Sequence, residues 1–181
     1  MDSKKLLVIS DTHGSVTMLK TVFNWAAERI PPKDSICAAA FLGDGIEDLN
    51  PAMDAAGFSC NWAIIKGNND FYTKETESAV FDFVNYRFFI CHGHRYSLYG
   101  GYHALVTAAK ANGANVVLSG HTHIPHHKTV DGICLINPGS VGRPRSRIGS
   151  TFTVIECEEG KQLNAEFYGI DAKGKIQAVT I

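Results

Sequence analysis

The chain has 181 residues, 45% of them hydrophobic and 19% charged, with a formal net charge of −1. At roughly 100–200 residues per domain, this is one domain spanning 1–181, and its apolar fraction excludes disorder. The near-neutral charge leaves no electrostatic footprint for long nucleic acid or an anionic membrane. The longest unbroken apolar run, Ile36 to Leu42, falls far short of the roughly 20 residues that span a bilayer. Leu6 to Ile9, after Lys4-Lys5, is too short for the apolar core of a signal peptide. The cysteines (Cys37, Cys60, Cys91, Cys134, Cys157) are odd in number and contain no C-x-x-C. That pattern opposes a disulfide framework or a cysteine zinc site, and the expected setting is the reducing cytoplasm. Of eight histidines, five stand in short clusters flanked by Gly and Asp.

Lys5 to Ser10 predicts a buried strand ending in Ser10-Asp11-Thr12-His13-Gly14. Ser15 offers a cap for a helix whose apolar positions Val16, Leu19, Phe23, Ala26, Ala27 and Ile30 follow the 3.6 period, and Pro31-Pro32 stops it. Ile36 to Leu42 predicts a second strand, closed by Gly43-Asp44-Gly45. Pro51 to Gly57 predicts a short helix capped by Gly57. Trp62 to Ile65 predicts a third strand, running into Gly67-Asn68-Asn69-Asp70. Ala79 to Val84 and Arg87 to Cys91 predict a hairpin turning at Asn85-Tyr86, whose second arm leads into His92-Gly93-His94. Tyr102 to Asn112 predicts a helix closed by Gly113, and Val116 to Leu118 a strand ending in Gly120-His121-Thr122-His123. From His127 onward strands dominate: a turn at Asp131-Gly132, then Ile133 to Ile136 and Thr151 to Cys157, with Glu159-Gly160 and Lys173-Gly174 separating the last ones. The early strand–helix–strand order implies a largely parallel sheet, and the late hairpins a second sheet packed on it. The predicted class is α/β, a two-sheet β-sandwich flanked by helices.

Five predicted strands thus end in clusters of potential metal ligands, and in open α/β sheets ligands bind beyond the strands' C-terminal ends. Residues i and i+2 of an extended chain project to the same side, so Asp11 with His13, and His121 with His123, reach a common centre. Imidazole and carboxylate donors without cysteine suit manganese, iron, nickel or zinc. Seven to eight such ligands are too many for one ion with an open position. They suit two ions about 3.5–4 Å apart that share a bridging carboxylate.

The ordered set D-x-H, G-D, G-N-x-D, H-G-H and G-H-T-H, followed by Asn137-Pro138-Gly139-Ser140, resembles the calcineurin-like metallophosphoesterase superfamily. Within it the chain is most similar to the small single-domain phosphodiesterases of the YfcE type, whose fold a vacuolar-sorting scaffold shares. The resemblance covers roughly Leu6 to Arg145 and implies the αββα fold. It implies a first metal held by Asp11, His13, Asp44 and His123, and a second held by Asp44, Asn68, His92 and His121, with Asp44 bridging. The implied cofactor is two divalent ions, manganese first, with nickel, iron, zinc and magnesium as alternatives. The implied nucleophile is a metal-bridging water, ionised near neutral pH, that attacks phosphorus in line. The expected substrate is a small phosphate ester or diester. A protein-interaction scaffold with a vestigial metal site, and a nuclease for short oligonucleotides or cyclic nucleotides, stand as alternatives; a homo-oligomer is compatible with each.

One position departs from the family pattern, which often reads G-N-H-[DE]: Asn69 stands in the histidine's place. Asparagine donates a hydrogen bond but delivers no proton, so diesters with acidic leaving groups are expected to be preferred. Asp70 is expected to hold its loop. Asn68, His94 and Arg143 are candidates for substrate contact, with Arg145 and Arg147 on the same stretch. Glu47 and Asp48 are expected to face solvent, Cys91 to be core, and His103, His126 and His127 to be surface or half-buried. Phe81, Phe83, Tyr86, Phe88 and Phe89 are expected to form hairpin core, any exposed part serving self-association.

Overall fold

The computed structural model describes residues 3–29 and 36–181. Strand β1 (Lys4–Ile9) leads into helix α1 (Val16–Arg29), then β2 (Ile36–Phe41), a 3₁₀ turn at Ile46–Asp48, α2 (Leu49–Ala56) and β3 (Asn61–Ile64). The chain continues through β4 (Ser78–Phe83), β5 (Tyr86–Cys91), two 3₁₀ turns, α3 (His103–Ala111) and β6 (Val116–Ser119). It ends with β7 (His126–Val130), β8 (Ile133–Asn137), β9 (Ser150–Cys157), β10 (Asn164–Ile170) and β11 (Ile176–Val179). Among the described residues these strands form two sheets, ordered β11-β10-β9-β1-β2-β3 and β4-β5-β6-β8-β7.

The predicted class holds, but the sheets divide differently from the expectation. The last strands do not make the second sheet; β9 pairs antiparallel with β1, and β10 and β11 extend the first sheet beyond it. The β1–β2–β3 crossovers run in one direction from β1 and leave its other edge open, which the returning β9 covers. The second sheet is built from the middle of the chain, β4 to β8.

Alternation along each strand explains the unbroken apolar runs, since both faces are covered. Leu6 and Val8 of β1 face the second sheet and pack with Phe88, Ile90, Leu118 and Ile136. Leu7 and Ile9 point the other way, against Leu19, Val22, Phe23 and Ala26 of α1. On the far side of the molecule, Phe89, Cys91 and Val117 pack under Leu105, Val106 and Ala109 of α3. The result is four layers, helix–sheet–sheet–helix. Each fully buried Leu, Ile or Phe in them contributes about 1.5–3 kcal/mol relative to exposure.

Several local expectations change. The α1 stripe is Leu19, Val22, Phe23 and Ala26; Ala27, one residue (about 100°) further round, is exposed. Ile30 and the helix stop at Pro31-Pro32 lie outside the described residues. Gly57 closes α2 at φ 62, as expected of a left-handed cap. The hairpin turns at Val84-Asn85, not Asn85-Tyr86, because Phe83 pairs with Tyr86. That register stacks Phe81 on Phe88, with ring centroids 5.2 Å apart, and sets Asp82 opposite Arg87, whose Nη1 donates to both carboxylate oxygens at 3.1 and 3.2 Å. His103 and His127 are exposed and His126 half-buried, as expected.

The turn places Val84, a β-branched residue, at φ 57. Its side chain is 40% exposed, so little packing opposes a change. Val84→Gly is expected to stabilise the fold by about 1 kcal/mol through relief of that backbone conformation, read as a higher Tm. His126 supplies a pH dependence. Burial, and then the nearby Lys128 charge, push its imidazole down from 6.5 to about 4. The unfolded chain takes up that proton at a higher pH than the folded one, so stability present above pH 6.5 is lost as pH falls toward 4. His126→Gln is expected to remove this loss, gaining about 1–2 kcal/mol relative to the unsubstituted protein on going from pH 7 to pH 5 in paired thermal melts.

Candidate metal centre

Parallel neighbours end at the same edge of a sheet, so the β1/β2/β3 and β5/β6 ends deliver their loops to one place. The ligand candidates do not reach it by strand alternation. Asp11, His13, Asp44, His121 and His123 have φ of 56, 45, 61, 66 and 60. These left-handed positions fold the loops tightly over the strand ends, and Asp and His tolerate that region better than most side chains. The i, i+2 pairs therefore converge through turns rather than through extended chain.

The carboxylates of Asp11 and Asp44 are buried at the centre, with His92 and His123 also buried and His13 and His121 half-buried. His123 Nε2 lies 3.1 Å from Asp11 Oδ1, and His13 Nε2 lies 3.7 Å from it. Asp44 Oδ2 stands between two imidazoles, 3.6 Å from His13 Nε2 and 3.5 Å from His92 Nε2. Two ligand groups result: Asp11, His13 and His123; and Asp11, Asp44 and His92. Ligands about 2.1 Å from a shared cation sit about 3.0 Å apart at right angles and about 3.4 Å apart at the tetrahedral angle. The 3.1 Å donor separation falls in that range and the others, at 3.5–3.7 Å, lie a few tenths of an ångström above it.

Backbone carbonyls decide which imidazole nitrogen faces inward. His92 Nδ1 donates to Leu42 O at 2.7 Å, and His123 Nδ1 to Arg143 O at 2.5 Å. Each Nε2 lone pair then faces a carboxylate oxygen, acceptor against acceptor, an arrangement that needs a cation between them. Buried Asp11 Oδ1 and His92 Nε2 have no hydrogen-bond partner. The protein's own charges show the same demand. Burial alone would raise the Asp11 and Asp44 carboxyls, but the imidazoles of His123 and His13 for Asp11, and of His92 together with the Asn69 amides for Asp44, hold both below the ordinary range. Burial would lower His92 and His123, yet the facing Asp44 and Asp11 carboxylates raise both. The donor set fits divalent metal.

Four groups outside the ligand set fix these loops. Asp70 accepts backbone N–H bonds from Asp44, Gly45, Ile46 and Gly67 at 2.6–3.0 Å, so it holds the Asp44 loop against the end of β3. Asp48, expected to face solvent, is buried and accepts from Thr12 Oγ1 and Gly14 N at 2.5 and 2.8 Å. The reason is geometric: the 3₁₀ turn after Gly45 folds it under the Asp11–His13 loop. Asn137 donates to Gly120 O at 2.7 Å and to Thr122 Oγ1 at 3.1 Å. Ser140 donates to Asp11 O at 2.7 Å. The Asn-Pro-Gly-Ser turn thus ties the first loop to the last. Gly67 and Gly120 are required by closeness, since a Cβ on either would collide with Asp44 or with Ser10 and Asp11.

Asn68, Asn69 and Arg143 line a cavity of about 380 Å³ beside His13, Asp44, His121 and His123. Asn69 turns onto Asp44, donating its backbone N–H to Oδ1 at 2.8 Å and its carboxamide to Oδ2. His94 is half-buried, its ring 5.6 Å from His92 and 6.2 Å from His121, with Nδ1 unpartnered. Arg145 lines the cavity and Arg147 does not. Cys91 is core, its thiol pushed up by burial.

A two-sheet α/β sandwich with carboxylates and imidazoles gathered at its strand ends is the architecture of a metal-dependent hydrolase, and the family match narrows it to a metallophosphoesterase. The profile of the calcineurin-like phosphoesterase superfamily domain matches residues 5–160, and the chain belongs to that superfamily. It is 32% identical over 171 residues to a probable metallophosphoesterase of Mycoplasma pneumoniae, covering 91% of this chain and 96% of that relative. Its fold resembles that of a predicted phosphoesterase from Streptococcus pneumoniae (TM-score 0.75, 24% identity, 93% and 91% of the two chains). It also resembles Entamoeba histolytica Vps29 complexed with zinc (TM-score 0.72, 21% identity, 97% of each chain). Among the described residues no helix is long and apolar enough to cross a membrane.

Asp70→Asn sets an NH₂ group against N–H donors that a carboxylate accepts on both oxygens. It is expected to cost about 2–3 kcal/mol of stability in denaturant unfolding and to loosen the Asp44 loop, while Asp70→Glu recovers part of the loss.

Proposed function

We propose that the protein is a binuclear-metal phosphodiesterase acting on a small phosphate diester. The observation that carries this reading is the pair of buried, unpartnered acceptors, Asp11 Oδ1 and His92 Nε2, set among facing imidazole lone pairs and carboxylates. Asp11, His13, Asp44 and His123 would hold one divalent ion, and Asp44, Asn68, His92 and His121 the other, manganese being the first choice for these hard N/O donors. Two such ions supply Lewis-acid charge for the phosphoryl oxygens and an acidified water as nucleophile.

The chain's own residues do the rest. Leu42 O and Arg143 O fix the His92 and His123 tautomers so that both present a lone pair inward. Asp70 and Ser140 hold the Asp44 and Asp11 loops in register with them. Asn68 lines the cavity, where its carboxamide can meet a phosphoryl oxygen. Asn69 is engaged with Asp44 and carries no transferable proton, so it would not protonate the leaving alkoxide. That favours acidic leaving groups and diesters over alkyl monoesters.

The test is manganese-dependent hydrolysis of bis(para-nitrophenyl) phosphate by the purified chain and by Asp44→Asn. Turnover that needs the metal and falls at least about a thousandfold in the variant is expected, with a manganese-induced rise in Tm that the variant lacks. A folded protein that binds manganese but turns over no aryl diester under any divalent ion would instead point to an interaction scaffold on this fold.

A further inference from the structure

Resting on the phosphodiesterase reading, the geometry points to a second anion subsite, formed by Arg143 and Arg145, that takes a phosphate monoester carried on the alcohol arm of the substrate. The substrate class is then a phosphodiester that also bears a terminal phosphate.

The cavity of about 380 Å³ has the candidate metal ligands on one wall and Arg143 and Arg145 on another. Arg29, Arg87 and Arg95 each pair with a carboxylate, respectively Glu28, Asp82 and Glu77. Among the described residues no carboxylate lies within ion-pair distance of Arg143 or Arg145. Arg145 is positioned instead by a neutral group: its Nη1 donates to the Tyr99 hydroxyl at 2.9 Å, and the Tyr99 ring stands 6.0 Å from that of His121. The backbone beneath both arginines is locked to a candidate ligand. Arg143 O accepts from His123 Nδ1, Arg145 N donates to His123 O at 3.1 Å, and Arg143 N donates to Ser140 Oγ at 2.8 Å. The backbone that carries these two uncompensated guanidinium groups therefore stands at a fixed offset from the centre, and Tyr99 orients that of Arg145.

Charge counting separates their role from the scissile group. Within the ligand set, two divalent cations less the two carboxylates, Asp11 and Asp44, would leave a surplus of two positive charges, while Asp48 and Asp70 outside it are held by hydrogen bonds from backbone N–H groups and the Thr12 hydroxyl. One diester anion and one attacking hydroxide cancel that surplus. The arginines remain unmatched, and a phosphate monoester of charge about −1.5 to −2 at pH 7 matches them. The planar fork of each guanidinium suits its oxygens in paired hydrogen bonds.

The experiment compares two para-nitrophenyl diesters of thymidine 5′-phosphate, identical except that one carries a 3′-phosphate. The unsubstituted protein is expected to prefer the 3′-phosphorylated substrate. In R143A/R145A the ratio of the two kcat/KM values is expected to fall about tenfold or more, carried by KM, and R143K/R145K should recover part of it. Both side chains are exposed and the locking bonds belong to the backbone, so the variants should keep their Tm. A binding arm runs in chelator, by calorimetry. Thymidine 3′,5′-bisphosphate should bind the unsubstituted protein about tenfold or more tighter than thymidine 5′-monophosphate, and R143A/R145A should lose the difference. No preference in the unsubstituted protein, or an equal loss on both substrates, overturns the proposal; equal loss would assign the arginines to the scissile phosphate. If neither diester is hydrolysed, the phosphodiesterase reading fails alone, and the binding arm still decides the subsite.

Discussion

Left-handed backbone at five of the ligand candidates is the constraint on which the rest of the centre depends. Each such residue costs on the order of 1 kcal/mol relative to an ordinary conformation. The loops keep these positions because polar groups outside the ligand set bond their backbone: half-buried Asp70 for the Asp44 loop, and buried Asp48 and Ser140 for the Asp11 loop and Asn137 for the His121 loop. Hydrogen bonds to charged acceptors contribute about 1.5–3 kcal/mol each, enough to offset the strain. Loosening one anchor moves a ligand and leaves a charge buried without its partner.

The layers make this possible. Because helices cover the outer face of each sheet, β1, β5 and β6, which carry most of the loops, are apolar and packed on both faces. Parallel pairing of β1 with β2, β2 with β3, and β5 with β6 sends their C-terminal ends to one edge. Rigid strands ending together, with short tight loops, set donor atoms to the few tenths of an ångström that a cation requires.

Much of this was legible in the sequence. The strand-end clusters were visible as polar punctuation after apolar runs, and the residues that the structure brings together, Asp11, His13, Asp44, His92 and His123, all belong to them. The division into sheets was not legible, because whether β9 returns to β1 or starts a new sheet depends on which edge stands open in three dimensions. The hairpin register was missed by two residues, since Val84 is a poor turn residue and only the Phe81–Phe88 and Asp82–Arg87 contacts select it. Asp48 was misplaced because its burial depends on a 3₁₀ turn that composition does not signal. The Asn137-Pro138-Gly139-Ser140 turn is legible in the sequence only as a motif; its task of joining the first and last loops comes from contacts made in three dimensions.

Among the described residues, five of the eight non-glycine residues with positive φ lie at the candidate metal centre, and none belongs to the three hydrophobic clusters. The hydrophobic layers therefore do not require those left-handed conformations, which are held by the hydrogen bonds of the loops themselves. A descendant relieved of hydrolysis could drift at these positions first, trading imidazole and carboxylate for relaxed side chains, while the sandwich survives intact and free for another occupation.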